Sequence, residues 1–126
     1  MKQLILSIII VVVILSLGVF TIKTIGKEAE NLNTLLIEIE NSVYDDNWAE
    51  ANIVSESIEE LWDKYKKEWP MLIDHLEIDN LSSKLAELRA YITSSNKDET
   101  LAKVAALKIL VKHIPEKESF IIQNIL

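Results

Sequence analysis

Three polar residues between positions 74 and 79 are the best candidates for metal chemistry in this sequence. Asp74 and His75 are adjacent, and Asp79 follows His75 by four residues, which is about one turn of a helix. A carboxylate and an imidazole at that spacing could share a divalent cation. Such a pair is common in acidic helices by chance, and the sequence has no HExxH motif. His75 also occupies a position where the spacing expects an apolar residue, so we predict a packed, hydrogen-bonded imidazole and no metal site.

A second histidine, His113, adds little to this group. It falls near the end of the last predicted helix and could approach His75 if that helix runs antiparallel to the one before it. The two histidines lie at different distances from the polar break at 94–98 that would separate the helices. They would therefore not be level.

Three tryptophans could line a ligand cleft. Trp48, Trp62 and Trp69 share one face of a predicted helix with the aliphatic residues Val54, Ile58 and Leu61. Large aromatic rings on such an apolar stripe more often fill a core, because they bury much surface. We predict that the three tryptophans are core residues, and a ligand cleft is the alternative.

The composition excludes most kinds of active site. There is no cysteine, which rules out disulfides, iron–sulfur clusters, thiolate zinc sites, a cysteine nucleophile and a lipoprotein anchor. With two glycines there is no glycine-rich phosphate loop, and no nucleophile elbow or Ser-His-Asp order is present. We predict a protein without catalytic residues or cofactors, not an enzyme.

The elements that would position these side chains begin with an apolar segment. Residues 4–22 carry no charge, and fifteen of the nineteen are Leu, Ile, Val or Phe. As an α-helix the segment would reach about 28 Å, close to the roughly 30 Å hydrocarbon core of a bilayer. We predict a short tail at 1–3 and a transmembrane signal-anchor helix at 4–22 that contacts lipid and spans the bilayer once.

A cleaved signal peptide is the rival interpretation, and the small-x-small triplet at 16–18 supports it. The apolar run continues to Ile22, longer than is usual in a cleaved leader, so we expect the segment to be retained. Orientation is nearly balanced, because Lys2 precedes the segment and Lys23 and Lys27 follow it. The short charged tail favours export, so we expect an extracytoplasmic domain at the cell membrane.

Beyond a juxtamembrane stretch at 23–27, residues 28–126 read as one acidic helical domain. Two glycines and two prolines are too few for the turns of a sheet protein. Apolar spacing predicts four helices: about 28–44, one from near Trp48, about 71–94, and one from about Leu101 that Pro115 should stop. Pro70 should end or kink the second helix, or serve as the first residue of the third. We expect the last apolar piece, at 120–126, to pack back on the others. The fold prediction is all-α, a small antiparallel bundle of three to four helices after the membrane helix.

Charge is unevenly distributed over this domain. Residues 28–79 contain fifteen acidic residues and three lysines, net −12, whereas residues 80–126 contain five acidic and seven basic residues, net +2. The acidic half would repel nucleic acid and anionic headgroups, so we expect neither as a ligand. A solvated face is the simple explanation, and a docking face for a basic partner or divalent cations is the alternative.

Several features in combination resemble a known family of short bacterial proteins. They are the N-terminal anchor, the acidic break DDNWAEA at 45–51, Trp62 and Trp69 at their seven-residue spacing, the pair Asp74-His75, a leucine-spaced helix and the terminal Asn124-Ile125-Leu126. Together they resemble the uncharacterised domain-of-unknown-function family 4363. The resemblance implies a source among low-GC Gram-positive bacteria, a membrane-anchored helical fold and no established activity. It supplies no catalytic residues.

Two functions are compatible with these observations. The first is a membrane-anchored, non-enzymatic interaction module of the cell envelope, whose partner is another membrane protein or a second copy of the chain. The alternative is an extracytoplasmic sensor domain. It would bind a small ligand or a divalent cation through a tryptophan cleft or through Asp74, His75 and Asp79.

Overall fold

Four α-helices make up most of the protein. The computed structural model describes the backbone of residues 1–71 and 73–125 and the side chains of residues 1–70 and 73–117. The helices are α1 (Lys2–Tyr44), α2 (Trp48–Glu68), α3 (His75–Thr93) and α4 (Lys97–Ile125), and a short 3₁₀ helix spans Trp69–Met71. These ranges contain no strand. The all-α prediction is therefore confirmed.

The helices pack as an antiparallel bundle. α1 contacts α2 and α4, and α3 contacts the same two helices. Short turns reverse the chain after each helix, so helices that follow each other in sequence run in opposite directions. In this arrangement α1 and α3 lie on one diagonal of the bundle and α2 and α4 on the other. The predicted bundle is confirmed, with four helices.

The core consists of one apolar stripe from each helix. Leu36 and Ile39 of α1, Leu81 and Leu88 of α3, and Leu107 of α4 are each no more than 1 % exposed. Their three-, four- and seven-residue spacing places them on one side of their helices, because a turn takes 3.6 residues. Burial of these stripes stabilises the bundle, since each large side chain removed from water contributes about 1.5–3 kcal/mol.

The α1–α2 and α3–α4 turns are built alike. Asp46 has a φ of 55° and Ser95 a φ of 54°, in the left-handed region that short polar residues tolerate. The next residue, Asn47 or Asn96, caps the helix that begins one residue later. Its side chain accepts a hydrogen bond from the backbone N–H three residues later, at 3.1 and 3.2 Å respectively. The two predicted polar breaks are thus the boundaries between α1 and α2 and between α3 and α4.

α1 is continuous from the apolar segment into the bundle. Its 43 residues make a rod of about 65 Å at 1.5 Å per residue. Residues 23–27, predicted as a separate juxtamembrane stretch, are helical, and Ile25 is 0 % exposed in the core. Gly26 does not interrupt the helix, and a Cβ there would meet no atom within 4 Å. The bundle therefore begins at Ile25, inside the stretch assigned to the juxtamembrane region.

The two prolines behave differently. Pro70 lies in the 3₁₀ helix directly after α2, so the predicted end of the second helix is confirmed. The prediction that Pro115 stops the last helix was wrong, because α4 continues to Ile125 with Pro115 inside it. A proline removes one helical hydrogen bond and favours a kink. Val111 and Ile114 are each 1 % exposed, and their burial holds this part of α4 on the core despite that loss.

The ends of the last two helices also differ from the prediction. α3 begins at His75, not at about 71, because the Asp74 carboxylate caps it by accepting a hydrogen bond from the Leu76 N–H at 3.0 Å. The predicted packing of 120–126 concerns side chains that lie outside the described residues. The backbone of 120–125 is part of α4.

Candidate functional site

The first half of α1 exposes apolar side chains around its whole circumference. Between Leu4 and Phe20 the large apolar side chains, apart from Leu15, are 47–69 % exposed. This part of α1 is long and apolar enough to cross a membrane, and none of it is buried within the protein. An exposed apolar surface of this extent marks a contact with a membrane or with another protein.

An aromatic cluster lies where the apolar segment meets the bundle. Trp62 and Trp69 meet edge to face with centroids 5.2 Å apart, and Tyr65 stacks on Trp69 at 5.8 Å. All three rings are buried, at 4 %, 0 % and 3 % exposure for Trp62, Trp69 and Tyr65. These two tryptophans therefore fill the core instead of lining a cleft. Trp48, at the far end of α2, is half-buried and packs against the same core.

Hydrogen bonds tie this cluster to the neighbouring helices. Trp69 Nε1 donates to Oε2 of Glu28 on α1 at 2.5 Å. Asn31 Nδ2, also on α1, donates to the Tyr65 hydroxyl at 3.2 Å, and Trp62 Nε1 donates to Ser82 Oγ on α3 at 2.8 Å. Since Glu28 follows the apolar segment by only six residues, these bonds fix the base of the segment to α2 and to the 3₁₀ helix.

The predicted metal candidates do not form a cluster. Asp74 caps α3, His75 is the first residue of that helix, and both are exposed, as is Asp79. The packed imidazole predicted for His75 is not observed, because the apolar stripe of α3 begins at Ile78. Within the part of the chain that the structure describes, which includes His113, no three His, Asp or Glu residues are placed to hold a metal ion.

A groove of about 510 Å³ runs between α1 and α4, next to the apolar segment. Gly26, Ala29 and Glu30 of α1 line one side, and Ile109 and Lys112 of α4 are on the other. Small side chains at positions 26 and 29 leave this space between the helices. The groove offers both apolar surface and charge of both signs, a combination suited to a protein or lipid contact.

Ion pairs, most of them between the acidic and the basic half of the domain, join the helices. Five pairs connect different elements of the bundle among the described residues: Arg89–Glu59, Lys97–Asp46, Lys103–Glu87, Lys108–Glu40 and Lys117–Glu77. In every pair the base is on α3 or α4, and in four of the five the acid comes from residues 28–79. The basic half of the domain thus neutralises part of the acidic half along the helix seams.

Among the described residues, one pair of titratable side chains has shifted pKa values, and it lies on the surface. The hydrogen bond from Lys103, followed by its positive charge, lowers the pKa of Glu87 below its ordinary value of 4.5. The same hydrogen bond raises the pKa of Lys103 above 10.5. Both directions are those of a structural ion pair, since catalytic acids and bases are usually shifted towards neutral pH instead.

Sequence reasoning missed the groove and the role of Glu28. Ile109 was the available signal for the groove, because it is a large apolar residue outside the stripe of Val104, Leu107 and Val111. Nothing in the spacing singles out Glu28 from the other acidic residues of α1. Its role depends on Trp69, which is 41 residues away in sequence.

Comparison with known proteins yields one match. A family model described as "Domain of unknown function (DUF4363)" matches residues 19–125. No curated protein and no solved structure matches the chain.

Proposed function

This chain belongs to the DUF4363 family, a domain of unknown function, and we propose that it is a membrane-anchored, non-enzymatic interaction module of the bacterial cell envelope. In this proposal the apolar half of α1 crosses the membrane once. The four-helix bundle stands on the extracytoplasmic side and presents its surface to another protein.

The exposure of the apolar half of α1 carries the proposal. A helix that is apolar on all sides is unstable in water and is the normal form of a membrane span. The buried stripe of α1 begins only at Ile25, so residues 4–22 are not needed for the core of the bundle. A bilayer would cover them, and the apolar length of about 28 Å matches its thickness.

Retention of the apolar segment is supported by the N-terminus that cleavage would create. A cut after Gly18 would place Val19 and Phe20 at a new N-terminus, where they are 47 % and 69 % exposed. α1 also passes through this point without a break, and Ile25, one of the first core residues, follows two turns later.

The non-enzymatic part of the proposal is supported by the chemistry of the described residues. Apart from the core aromatic residues, the buried polar side chains among the described residues are Ser55 and Thr100, which lie on different helices. The one shifted pair, Glu87 and Lys103, is on the surface. The large acidic surface and the groove between α1 and α4 are features of a protein that binds other proteins.

Three measurements on full-length protein in native membranes test this proposal. The mass of the purified chain should correspond to all 126 residues, and a product that begins at Val19 would contradict retention.

The second measurement uses a reporter that works only outside the cytoplasm, fused after Leu126. We expect this reporter to show activity, and activity of a reporter that works only in the cytoplasm would place the bundle on the opposite side of the membrane. Crosslinking should yield a defined adduct, and recovery of monomer alone would count against an interaction module.

A sensor role is the second proposal, and the groove is the observation in its favour. Its volume of about 510 Å³ lies in the usual range of ligand sites. Titration of the full-length chain in detergent with calcium, zinc and metabolites should then shift its melting temperature. An unchanged melting temperature throughout would remove this function, and it would leave the interaction module untouched.

A further inference from the structure

We propose that two copies of this chain pair in the membrane through the seam between α1 and α4. The surface concerned, named here the α1–α4 face, consists of Glu30, Ile37 and Tyr44 of α1 and Ile109 and Lys112 of α4. The inference deepens the proposed function by naming the partner, and it rests on that function because it requires both copies to be anchored in one bilayer.

The α1–α4 face gathers exposed apolar side chains. Outside the N-terminal segment, five large apolar side chains are strongly exposed among the described residues, and three of them belong to this face. Ile109 is 73 % exposed, Tyr44 61 % and Ile37 38 %. Glu30, Ile37 and Tyr44 follow each other at seven-residue intervals, so they share one side of α1. Clustering of exposed apolar residues along one side of a helix is typical of a helix–helix contact.

Charged residues flank the apolar ones at the end nearest the membrane. Glu30 and Lys112 both line the groove, so they lie at the same level of the bundle on adjacent helices. Neither has an ion-pair partner within the described residues. Ile37 is seven residues beyond Glu30 on α1 and Ile109 three residues before Lys112 on α4, so both isoleucines lie further from the membrane than the charged pair, by about 10.5 and 4.5 Å respectively. The face thus presents an acid and a base at one level and two isoleucines above them, offset from each other by about 6 Å along the helix axis.

A shared bilayer decides how two such faces can meet. Both copies must point the same way, so the twofold axis lies along the membrane normal and the contact is the same surface twice. Rotation about that axis places α1 of one copy against α4 of the other. Glu30 of each copy then faces Lys112 of the second, and Ile37 comes near Ile109 with an offset of about 6 Å along the axis. The face is therefore complementary to itself in charge and in apolar surface.

The membrane also explains why a small face suffices. A stable contact in solution buries about 800 Å² on each partner, more than five side chains supply. Two chains anchored in one bilayer are confined to two dimensions and share one orientation, so a contact weaker than one needed in solution is populated.

Cysteine crosslinking between two differently tagged copies tests the pairing, and the absence of native cysteine makes it clean. One copy carries Ile37→Cys and the other Ile109→Cys, and a flexible bismaleimide, which joins thiols too far apart for a disulfide, is added to native membranes that contain both. We expect a mixed dimer that contains both tags. Ile53→Cys, a matched isoleucine of α2 that is 59 % exposed, replaces Ile37→Cys in the control and should give no mixed dimer with Ile109→Cys.

Charge reversal supplies the second test. Glu30→Lys or Lys112→Glu, each introduced into both tagged copies, should lower the yield of the mixed dimer several-fold, because like charges then face each other. The double variant Glu30→Lys/Lys112→Glu restores opposite charges and should return the yield to within about twofold of the parent. A double variant as poor as the single ones would overturn the proposed register.

Failure of the pairing and failure of the proposed function give different results. A chain that stays in alkali-washed membranes but forms no crosslink between positions 37 and 109 overturns the pairing alone. Adducts of Ile37→Cys with a different protein, and none with the second tag, also overturn it. Release of the chain from washed membranes would contradict the anchoring on which both proposals depend.

Discussion

Replacement of Trp69 by phenylalanine should destabilise the bundle through the loss of one hydrogen bond to α1. Trp69 is 0 % exposed, and its Nε1 donates to Glu28 Oε2 at 2.5 Å. Phenylalanine keeps an aromatic ring against Trp62 and Tyr65 but has no N–H. The Glu28 carboxylate would then lose its donor at a half-buried position, six residues after the end of the apolar segment.

The size of the effect follows from two contributions. A hydrogen bond to a charged group contributes about 1.5–3 kcal/mol, and the smaller ring leaves a void that costs roughly 1 kcal/mol. We therefore expect the free energy of unfolding to fall by about 2.5–4 kcal/mol in Trp69→Phe. In Glu28→Gln the acceptor stays but its charge is lost, so the fall should be only about 1–1.5 kcal/mol.

Urea unfolding of full-length chains in detergent micelles, followed by far-ultraviolet circular dichroism, measures both changes. The apolar half of α1 stays in the micelle, so the loss of helical signal reports the bundle. The two variants and their combination form a double-mutant cycle. Once the Trp69 N–H is gone, Glu28→Gln should be neutral or stabilising, because it removes a charge without a donor. If Glu28→Gln costs the same in the parent chain and in the Trp69→Phe background, the hydrogen bond does not have the role assigned to it.

Three further substitutions have defined outcomes. Thr100 is 0 % exposed, and its Oγ1 has no hydrogen-bond partner in the described part of the chain. Thr100→Val should therefore raise the free energy of unfolding by about 1 kcal/mol. A lower free energy of unfolding in the same urea assay would show that Oγ1 has an unseen partner. Pro115→Ala restores a backbone donor inside α4 and should raise the melting temperature, with up to about 3 kcal/mol gained; a lower melting temperature would mean that the kink aids packing. Lys103 lowers the pKa of Glu87, so the parent chain should have a higher free energy of unfolding than Glu87→Gln at neutral pH. This difference in stability should disappear as the pH falls through the lowered pKa, below 4.5. A difference that persists in acid would contradict the ion pair.

Local patterns were sufficient to predict a bundle of three to four helices and the helix boundaries near Asn47 and Asn96. Leu36 and Ile39 show the helical spacing directly, because burial of one side of a helix imposes a period of 3.6 residues. The boundaries at Asn47 and Asn96 were predictable because a helix needs a polar cap, and asparagine is among the best. These features depend on residues within a few positions of each other, so they can be recognised in a single sequence.

Features that depend on distant residues were predicted poorly. Pro115 was expected to stop the last helix, but its local cost is outweighed by the burial of Val111 and Ile114 against the other helices. The error at His75 was local instead: the third helix was expected to begin near residue 71, whereas the cap at Asp74 places His75 on the first, exposed turn of α3. The groove was missed because it arises from two helices whose register no local pattern reveals.

Anchoring by residues 4–22 is tested most directly by an alkaline carbonate wash of membranes that contain the full-length chain. Fifteen apolar side chains favour insertion by about 4.5–9 kcal/mol, so the chain should remain entirely in the membrane pellet. Two lysines near the middle of the segment, Ile10→Lys and Val13→Lys, cost about 5–7 kcal/mol together and should move most of the chain to the soluble fraction. Release of the unmodified chain by the wash would contradict membrane anchoring.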